Sequence, residues 1–493
     1  MTMHHATGPT YGRRLRAFSL ICLVGAAAYG CTVGPNFSRP TPPAATRYTH
    51  AILPGEQAPA NGSTQHIALG REIEGDWWDL FRSDAIGKVV HEAVSHNRSL
   101  AASRATLEQA KDLASAQQGS RYPQIGLAGG VGRQQYGQEF LGNFFNLPPF
   151  TYFAVGPTVS YNVDWTGGVA RSVEEQYAQV DVAKQQLNAA YLSVTGQAVI
   201  QTLAIASARA QIATVDTILA QDRDNLKLVQ TAFEAGSVGR IDVVTAQSQI
   251  ASDLGLLPPL RQDLARAHHA LSVVLGRVPQ NDLPPDLDLE QITLPLEIPV
   301  SVPSELAHRR PDILAAEARL HAATSAVGVA ESNLYPKLQL TATVGQQAVD
   351  PSHLFNGANT AWSLISGLTA PIFDGGTLRA EKRAALDAMH ANAAEYEETV
   401  LEAFGQVGDA LEALDHDAEQ LDAQTQAQQA SQSSLDLARA SYKEGNAGVL
   451  QVLDAQRLYQ QARLGYVRAL VQRYLDTVEL FLALGGSNPA ASQ

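Results

Sequence analysis

The sequence predicts a mainly α chain with a smaller β part, built as a duplicated helix-strand-strand-long helix-helix unit. Three observations predict it. The second half repeats the first: Trp165–Gly276 reads WTGG, a long polar stretch, FEAGSVGRIDVVTAQ and VVLG, and Phe373–Gly485 reads FDGG, a similar stretch, YKEGNAGVLQVLDAQ and LALG. Upstream of each, RYPQIGLAGGVG (121–132) matches LYPKLQLTATVG (334–345). In both halves the hydrophobic period then switches from that of a helix to two, the mark of strands. Finally, a proline-free run of 67 residues follows each Gly-Gly, Val169–Ala235 and Thr377–Lys443.

Taken in order, residues 1–30 read as a signal peptide. Arg13, Arg14 and Arg16 precede AFSLICLVGAAAY, an apolar stretch shorter than the about 20 residues a spanning helix needs. AYGC then resembles a lipoprotein box, in which Cys31 carries a covalent lipid and becomes the first mature residue. The alternative is cleavage after Ala26-Ala27-Ala28 with Cys31 a plain thiol. The other cysteine, Cys22, leaves with the signal, so no disulfide or cysteine metal site remains. Adjacent His4-His5 and His268-His269 cannot face one metal from a helix, and neither metal nor other cofactor is expected.

Residues 31–83 are rich in Pro, Gly, Ala and Thr and read as an extended arm, with Trp77-Trp78 opening the ordered part. The first repeat spans 84–276: a helix, strands at about 122–134 and 152–166, a long helix 169–235 and a return helix 241–276. Seven alternating positions from Phe153 to Trp165 carry the second strand. A Pro-rich crossover, 277–303, leads to the second repeat, 304–485. Its strands lie at about 335–346 and 361–373, its long helix at 377–443 and its return helix at 449–484. The tail is 486–493. Leu386, Met389, Ala393, Tyr396, Val400, Ala403, Val407, Leu411, Leu414, Ala418 and Leu421 step by three and four, a coiled-coil seam.

Charged residues are 17% and aromatics 6% of the chain, which suits long helices packed through small side chains. Net charge is −14, and removing the three Arg of residues 1–30 makes it −17, which disfavours nucleic acid as a partner. Four strands of bilayer-crossing length cannot span a membrane alone, because both edges would leave backbone groups bare in hydrocarbon. Either they belong to a soluble sandwich, or several chains close one β-barrel. The aromatic loop Tyr136, Phe140, Phe144, Phe145, Phe150, Tyr152 and Phe153 favours a membrane interface. The long helices are polar and stand in water.

Over nearly its whole length the chain resembles TolC-like outer-membrane factors of the NodT/OprM lipoprotein branch. The resemblance is carried by CTVGPNF after the signal, WWDLF (77–81), HRRPDILAAEARLHAA (308–323), LYP before the third strand, IFDGG (372–376) and YKEGNAGVLQVLDAQRLYQQA (442–462). It implies a homotrimer whose 12-stranded outer-membrane β-barrel continues into a periplasmic α-helical tunnel. It implies passive efflux of small molecules for an inner-membrane pump of RND, MFS or ABC type through a periplasmic adaptor, with outer-membrane lipid around the barrel. Type I protein secretion, and a lipid-anchored coiled-coil scaffold without a pore, are the alternatives.

No nucleophile–base pair or phosphate loop suggests an enzyme. The resemblance places the turns 236–242 and 445–454 at the periplasmic tip. Asp242 and Asp454 are read as matching positions there, each recurring around a trimer axis as an acidic gate ring. The competing reading is a first-turn Asp complementing the helix dipole. Gly236, Gly239, Gly445 and Gly448 are the expected adaptor-docking turns, since bare backbone allows close approach. Arg309-Arg310-Pro311-Asp312 reads as a structural helix start.

Overall fold

The computed structural model describes residues 32–41, 45, 47–49, 65–71, 73, 76–136, 148–279 and 287–486. Cys31, Phe140, Phe144 and Phe145 lie outside them. Period-two patterning becomes four antiparallel strands: β2 (Gln124–Gln134), β3 (Phe150–Val163), β5 (Lys337–Ala348) and β6 (Thr360–Thr369), in the order β2-β3-β5-β6. A short parallel pair, β1 (His66–Leu69) and β4 (Glu297–Val300), forms within the segments read as arm and crossover. The longer helices are α1 (Asp84–His96), α2 (Arg98–Gly119), α3 (Gly168–Glu234), α4 (Arg240–Leu254), α5 (Leu257–Val274), α6 (Pro311–Ser332), α7 (Thr377–Lys443) and α8 (Val449–Ala483).

The chain divides into two compact units. One holds the four-stranded sheet, the helix segments next to it and the arm 32–40. There Val33 N–H donates to the Thr166 carbonyl at 3.0 Å, and the Arg171 guanidinium reaches both the Val33 carbonyl (3.3 Å) and Asn36 Oδ1 (2.5 Å). Phe37 stacks on His321 at 4.4 Å, and Arg39 pairs with Glu317 at 2.7 Å. Thr32 packs against Gly167, at the end of the sheet. Within the sheet, Pro157 sits in a central strand although it has no N–H to donate. The β3–β5 register accommodates it by a gap between Val155↔Gln346 and Thr158↔Thr343. In that gap Gly156 and Gly345 press backbone to backbone, and a Cβ on either would collide with the other strand.

The other unit is helical. Its core is aromatic where WWDLF folds back: Trp77, Trp78 and Phe81 are buried. Trp77 and Phe81 meet Phe481 at 5.8 and 6.1 Å, and Trp78 meets Tyr191 at 6.5 Å. Arg310 donates to the Ala483 carbonyl (2.9 Å), Gln406 (2.8 Å) and Asp312 (2.6 Å), satisfying the end of α8. Along its part of α7 the seam residues Val400, Ala403, Val407, Leu411 and Leu414 are buried. One helix, α3, contains a window long and apolar enough to cross a membrane by composition, but half of that window is buried within the chain. Val194, Val199, Leu203 and Ile205 are among its buried side chains, the signature of a core helix.

Besides the β1–β4 pair, the elements differ from expectation in three places, the first being that the helix expected from 84 is two, α1 and α2, split at Asn97. The return helix expected over 241–276 is two helices, α4 and α5, broken at Gly255-Leu256. Pro258 and Pro259 lack the N–H groups that would bond back to residues 254 and 255, so a new helix starts there. The strand expected to reach 373 ends at Thr369, before Pro371, leaving Ile372 and Phe373 exposed.

Candidate functional site

Side chains directly opposite on neighbouring strands share a face of the sheet. The pairs Ile125↔Val159, Leu127↔Pro157 and Val131↔Phe153 therefore extend through Tyr161↔Leu340 and Val163↔Leu338 to Leu338↔Leu368, Ala342↔Leu364 and Val344↔Trp362. All four strands turn most of their large apolar positions to this one face; Ile365, opposite Thr341, and Tyr152, opposite Gly132, lie on the other. The opposite face carries mostly small and polar residues, among them Gly126↔Thr158, Thr158↔Thr343 and Thr343↔Ser363. There the Thr343 and Ser363 hydroxyls lie 2.7 Å apart. The apolar face is uncovered in the single chain: Leu127 is 79%, Trp362 77% and Leu364 73% exposed. So continuous an apolar surface on a water-soluble monomer is unusual, whereas apolar-out and polar-in alternation suits a lipid-facing sheet.

Both outer strands are edges: among the described residues β2 pairs only with β3, and β6 only with β5. Each therefore presents an outward row of backbone N–H and C=O groups with no strand beside it. In hydrocarbon each bare group costs several kcal/mol. Tyr136 and Phe150, from the loop singled out as aromatic, face each other at 6.0 Å at one end of the β2–β3 hairpin.

The two turns at the far ends of the long helices share one construction. After α3, Ser237 N–H donates to Ala232 O and Gly236 N–H to Phe233 O, both at 2.9 Å. After α7, Asn446 N–H donates to Ser441 O at 2.9 Å and Gly445 N–H to Tyr442 O at 3.1 Å. These paired bonds cap a helix through a left-handed residue, and Gly236 and Gly445 adopt φ of +75° and +79°. Gly239 and Gly448 are extended residues at the starts of α4 and α8, with φ of −86° and −83°, which any residue can adopt. Open space surrounds Gly236, Gly445 and Gly448.

The structure separates the two aspartates that were read as matching. Asp242 is the third residue of α4, and its Oδ2 accepts the Gly239 N–H at 2.9 Å. It caps its own helix, which is the structural reading. Asp454 is the sixth residue of α8, three residues or about 0.8 turn further in, with an exposed carboxylate 3.8 Å from Arg457. With the two turns aligned on their glycines, Gln451 stands where Asp242 does and Thr245 where Asp454 does.

The helical unit also buries two carboxyl pairs for which the sequence offers no signal. Asp222 of α3 lies within hydrogen-bonding reach of Asp253 of α4. Gln456 and Gln460 of α8 donate to Asp222 Oδ1 at 2.6 and 3.0 Å, and Gln249 donates to Asp253 Oδ2 at 2.9 Å. Burial, then a shared hydrogen bond with Asp253 and its charge, push the Asp222 carboxyl up to about 7. Asp417 of α7 faces Asp476 of α8 in the same way and is also raised to about 7, with burial again the main cause. Here Arg473 opposes the shift. Among the described residues no group of three or more His, Cys, Asp or Glu is placed to hold a metal ion.

A sheet with one lipid-like face, joined to long polar helices, defines a class: membrane-inserted β proteins with a large aqueous helical part. The chain belongs to the outer membrane efflux protein family, whose model matches it twice, over residues 89–277 and 302–486. It is 27% identical to the toluene efflux pump outer membrane protein TtgC of Pseudomonas putida, over 93% of each chain. It is 29% identical to the pyoverdine export outer membrane protein OpmQ of Pseudomonas putida, covering 92% of this chain and 95% of that one. The solved structure of the outer-membrane channel OprN superposes with a TM-score of 0.79 at 26% identity, covering 93% of this chain and 99% of that one. The protein is an outer-membrane efflux protein.

Proposed function

We propose that three copies of this chain form the passive outer-membrane duct of a tripartite efflux system. The observation that carries this reading is the sheet: a continuous exposed apolar face bounded by two unpaired edges. Joining β6 of one copy to β2 of the next pairs both edges, and three copies close a 12-stranded barrel, a size within the range that membrane barrels use. Closure directs the Thr and Gly face to the lumen and the Leu, Val and Trp face to lipid. The strands and long helices occur twice per chain, as does the family match. Both support a duplicated unit and a pseudo-sixfold tunnel of long helices in the periplasm.

Toluene and pyoverdine, named for two relatives, are small molecules, which favours small-molecule efflux over protein secretion. In this reading an inner-membrane pump supplies the driving force through a periplasmic adaptor. The adaptor docks on the turns at Gly236, Gly239, Gly445 and Gly448, whose missing side chains expose backbone. Asp454, exposed near one turn, recurs three times around the axis and favours cations; Asp242, committed to its cap, contributes less. Cys31 carries the lipid. Its neighbour Thr32 packs against Gly167 at the end of β3, where a barrel gives way to helices. An acyl chain on Cys31 would thus lie at the inner leaflet.

Light scattering of the mature protein in detergent, with the detergent mass subtracted, tests the proposal. The expected result is a stable trimer. A monomer or dimer that stays soluble without detergent would overturn the duct and leave the coiled-coil scaffold.

A further inference from the structure

The Asp222–Asp253 pair lies outside both the sheet and the turns. Three helices converge on it: α3 brings Asp222 and Asn225, α4 brings Asp253 and Gln249, and α8 brings Gln456 and Gln460. Arg439, from α7, reaches Gln456 Oε1 at 3.3 Å and so stands one side chain away from the carboxyls. Asp222 is 3% exposed and Asp253 6%. Asp222 Oδ2 has no conventional donor although it is fully buried.

Two buried carboxylates cannot face each other without a proton or a cation between them. The amides are already used: both glutamines of α8 donate to Oδ1, not Oδ2. A single proton held between Asp222 and Asp253 satisfies the orphaned oxygen and removes the repulsion at once. The Asp417–Asp476 pair differs in having the buried Arg473 guanidinium, which bonds Gln65 at 3.0 Å, beside it; Arg473 opposes the rise of Asp417 to about 7 without undoing it.

We propose that Asp222 and Asp253 form a proton-operated clasp that holds α3 and α4 against α8 when it carries one proton and loosens when that proton leaves. The α3–α4 hairpin carries the turn at 236–242, so the clasp couples pH to the mobility of that turn.

The sign of the effect follows from linkage. The folded chain holds a proton that the unfolded chain releases near the ordinary carboxylate value of 3.8 and the folded chain only near about 7. The stabilisation is therefore complete in acid and is lost as pH rises through neutrality.

Hydrogen exchange of the full-length protein in detergent tests this, read on peptides covering 215–225 and 452–462 and corrected for intrinsic rates. Protection of the wild type is expected to fall about tenfold between pH 6 and pH 8, the factor set by losing one proton with a value near 7. Asp222→Asn and Asp253→Asn each replace the shared proton with a permanent amide donor, and both are expected to flatten that dependence. Asp417→Asn is expected to leave it intact. Equal wild-type protection at both pH values would overturn the clasp. So would a slope that survives in both Asn variants, or one that only Asp417→Asn removes. The readout is local helix protection, so it stands or falls separately from the number of chains in the barrel.

Discussion

The two units of this protein invert each other's surfaces. The sheet unit leaves Leu127, Trp362 and Leu364 uncovered, whereas the helical unit buries Asp222, Gln456 and Arg473. A soluble fold does the reverse in both places, because exposed apolar area and buried charge each cost free energy. Apolar-out patterning of this kind suits a sheet whose solvent is lipid. The helices are at ease in water where their buried polar groups join helix-to-helix networks, as Gln456 and Gln460 do around Asp222. One chain is thus matched to two solvents, and the change in patterning falls where strand gives way to helix.

The sharpest way to break this comparison is a charge on either face of the sheet. Leu364→Arg, on the apolar face, is expected to cost about 2–4 kcal/mol per chain in the membrane-inserted state. It should abolish the detergent-stable oligomer on gel filtration. Thr343→Arg, on the opposite face of the neighbouring strand, should leave the oligomer assembled. Equal loss in both variants would show that the faces are not lipid and lumen.

A smaller effect separates the glycines of one turn. Gly445 holds φ at +79°, while Gly448 is extended. Gly445→Val is expected to cost about 1–2 kcal/mol through backbone strain and to raise hydrogen exchange over 440–450. Gly448→Val should leave exchange there nearly unchanged. If Gly448→Val nevertheless abolishes adaptor binding in a pull-down, the docking role of the turn gains direct support; if both variants bind normally, that role fails.

The smallest effect on stability belongs to Asp454, whose exposed pairing with Arg457 is worth under about 0.5 kcal/mol. Asp454→Asn should leave the thermal midpoint in place and lower the preference for potassium over chloride in bilayer conductance at low salt. Unchanged selectivity would remove Asp454 from the gate.

Much of the architecture was legible in advance because the signals are local. Proline-free runs after Gly-Gly mark both long helices, α3 and α7, and alternation from Phe153 onward marks β3. The same local reading passed over Pro258-Pro259 in an otherwise helical pattern and ran the return helix through a break. It also paired Asp242 with Asp454 on residue type, where position within each helix decides their roles.

The sequence alone determined the kind and order of the four sheet strands and the two long helices, the recurrence of the motifs and the resemblance to outer-membrane factors, since these are read from local periodicity and from residue identities along the chain. Only the tertiary structure decided that the apolar positions of four separate strands share one face, because that depends on cross-strand register between segments nearly two hundred residues apart. Only it decided that Asp222 meets Asp253 and Asp417 meets Asp476. Mid-helix aspartates look like solvated surface until packing removes the water, and burial depends on which helices come together rather than on the residues beside them in the chain.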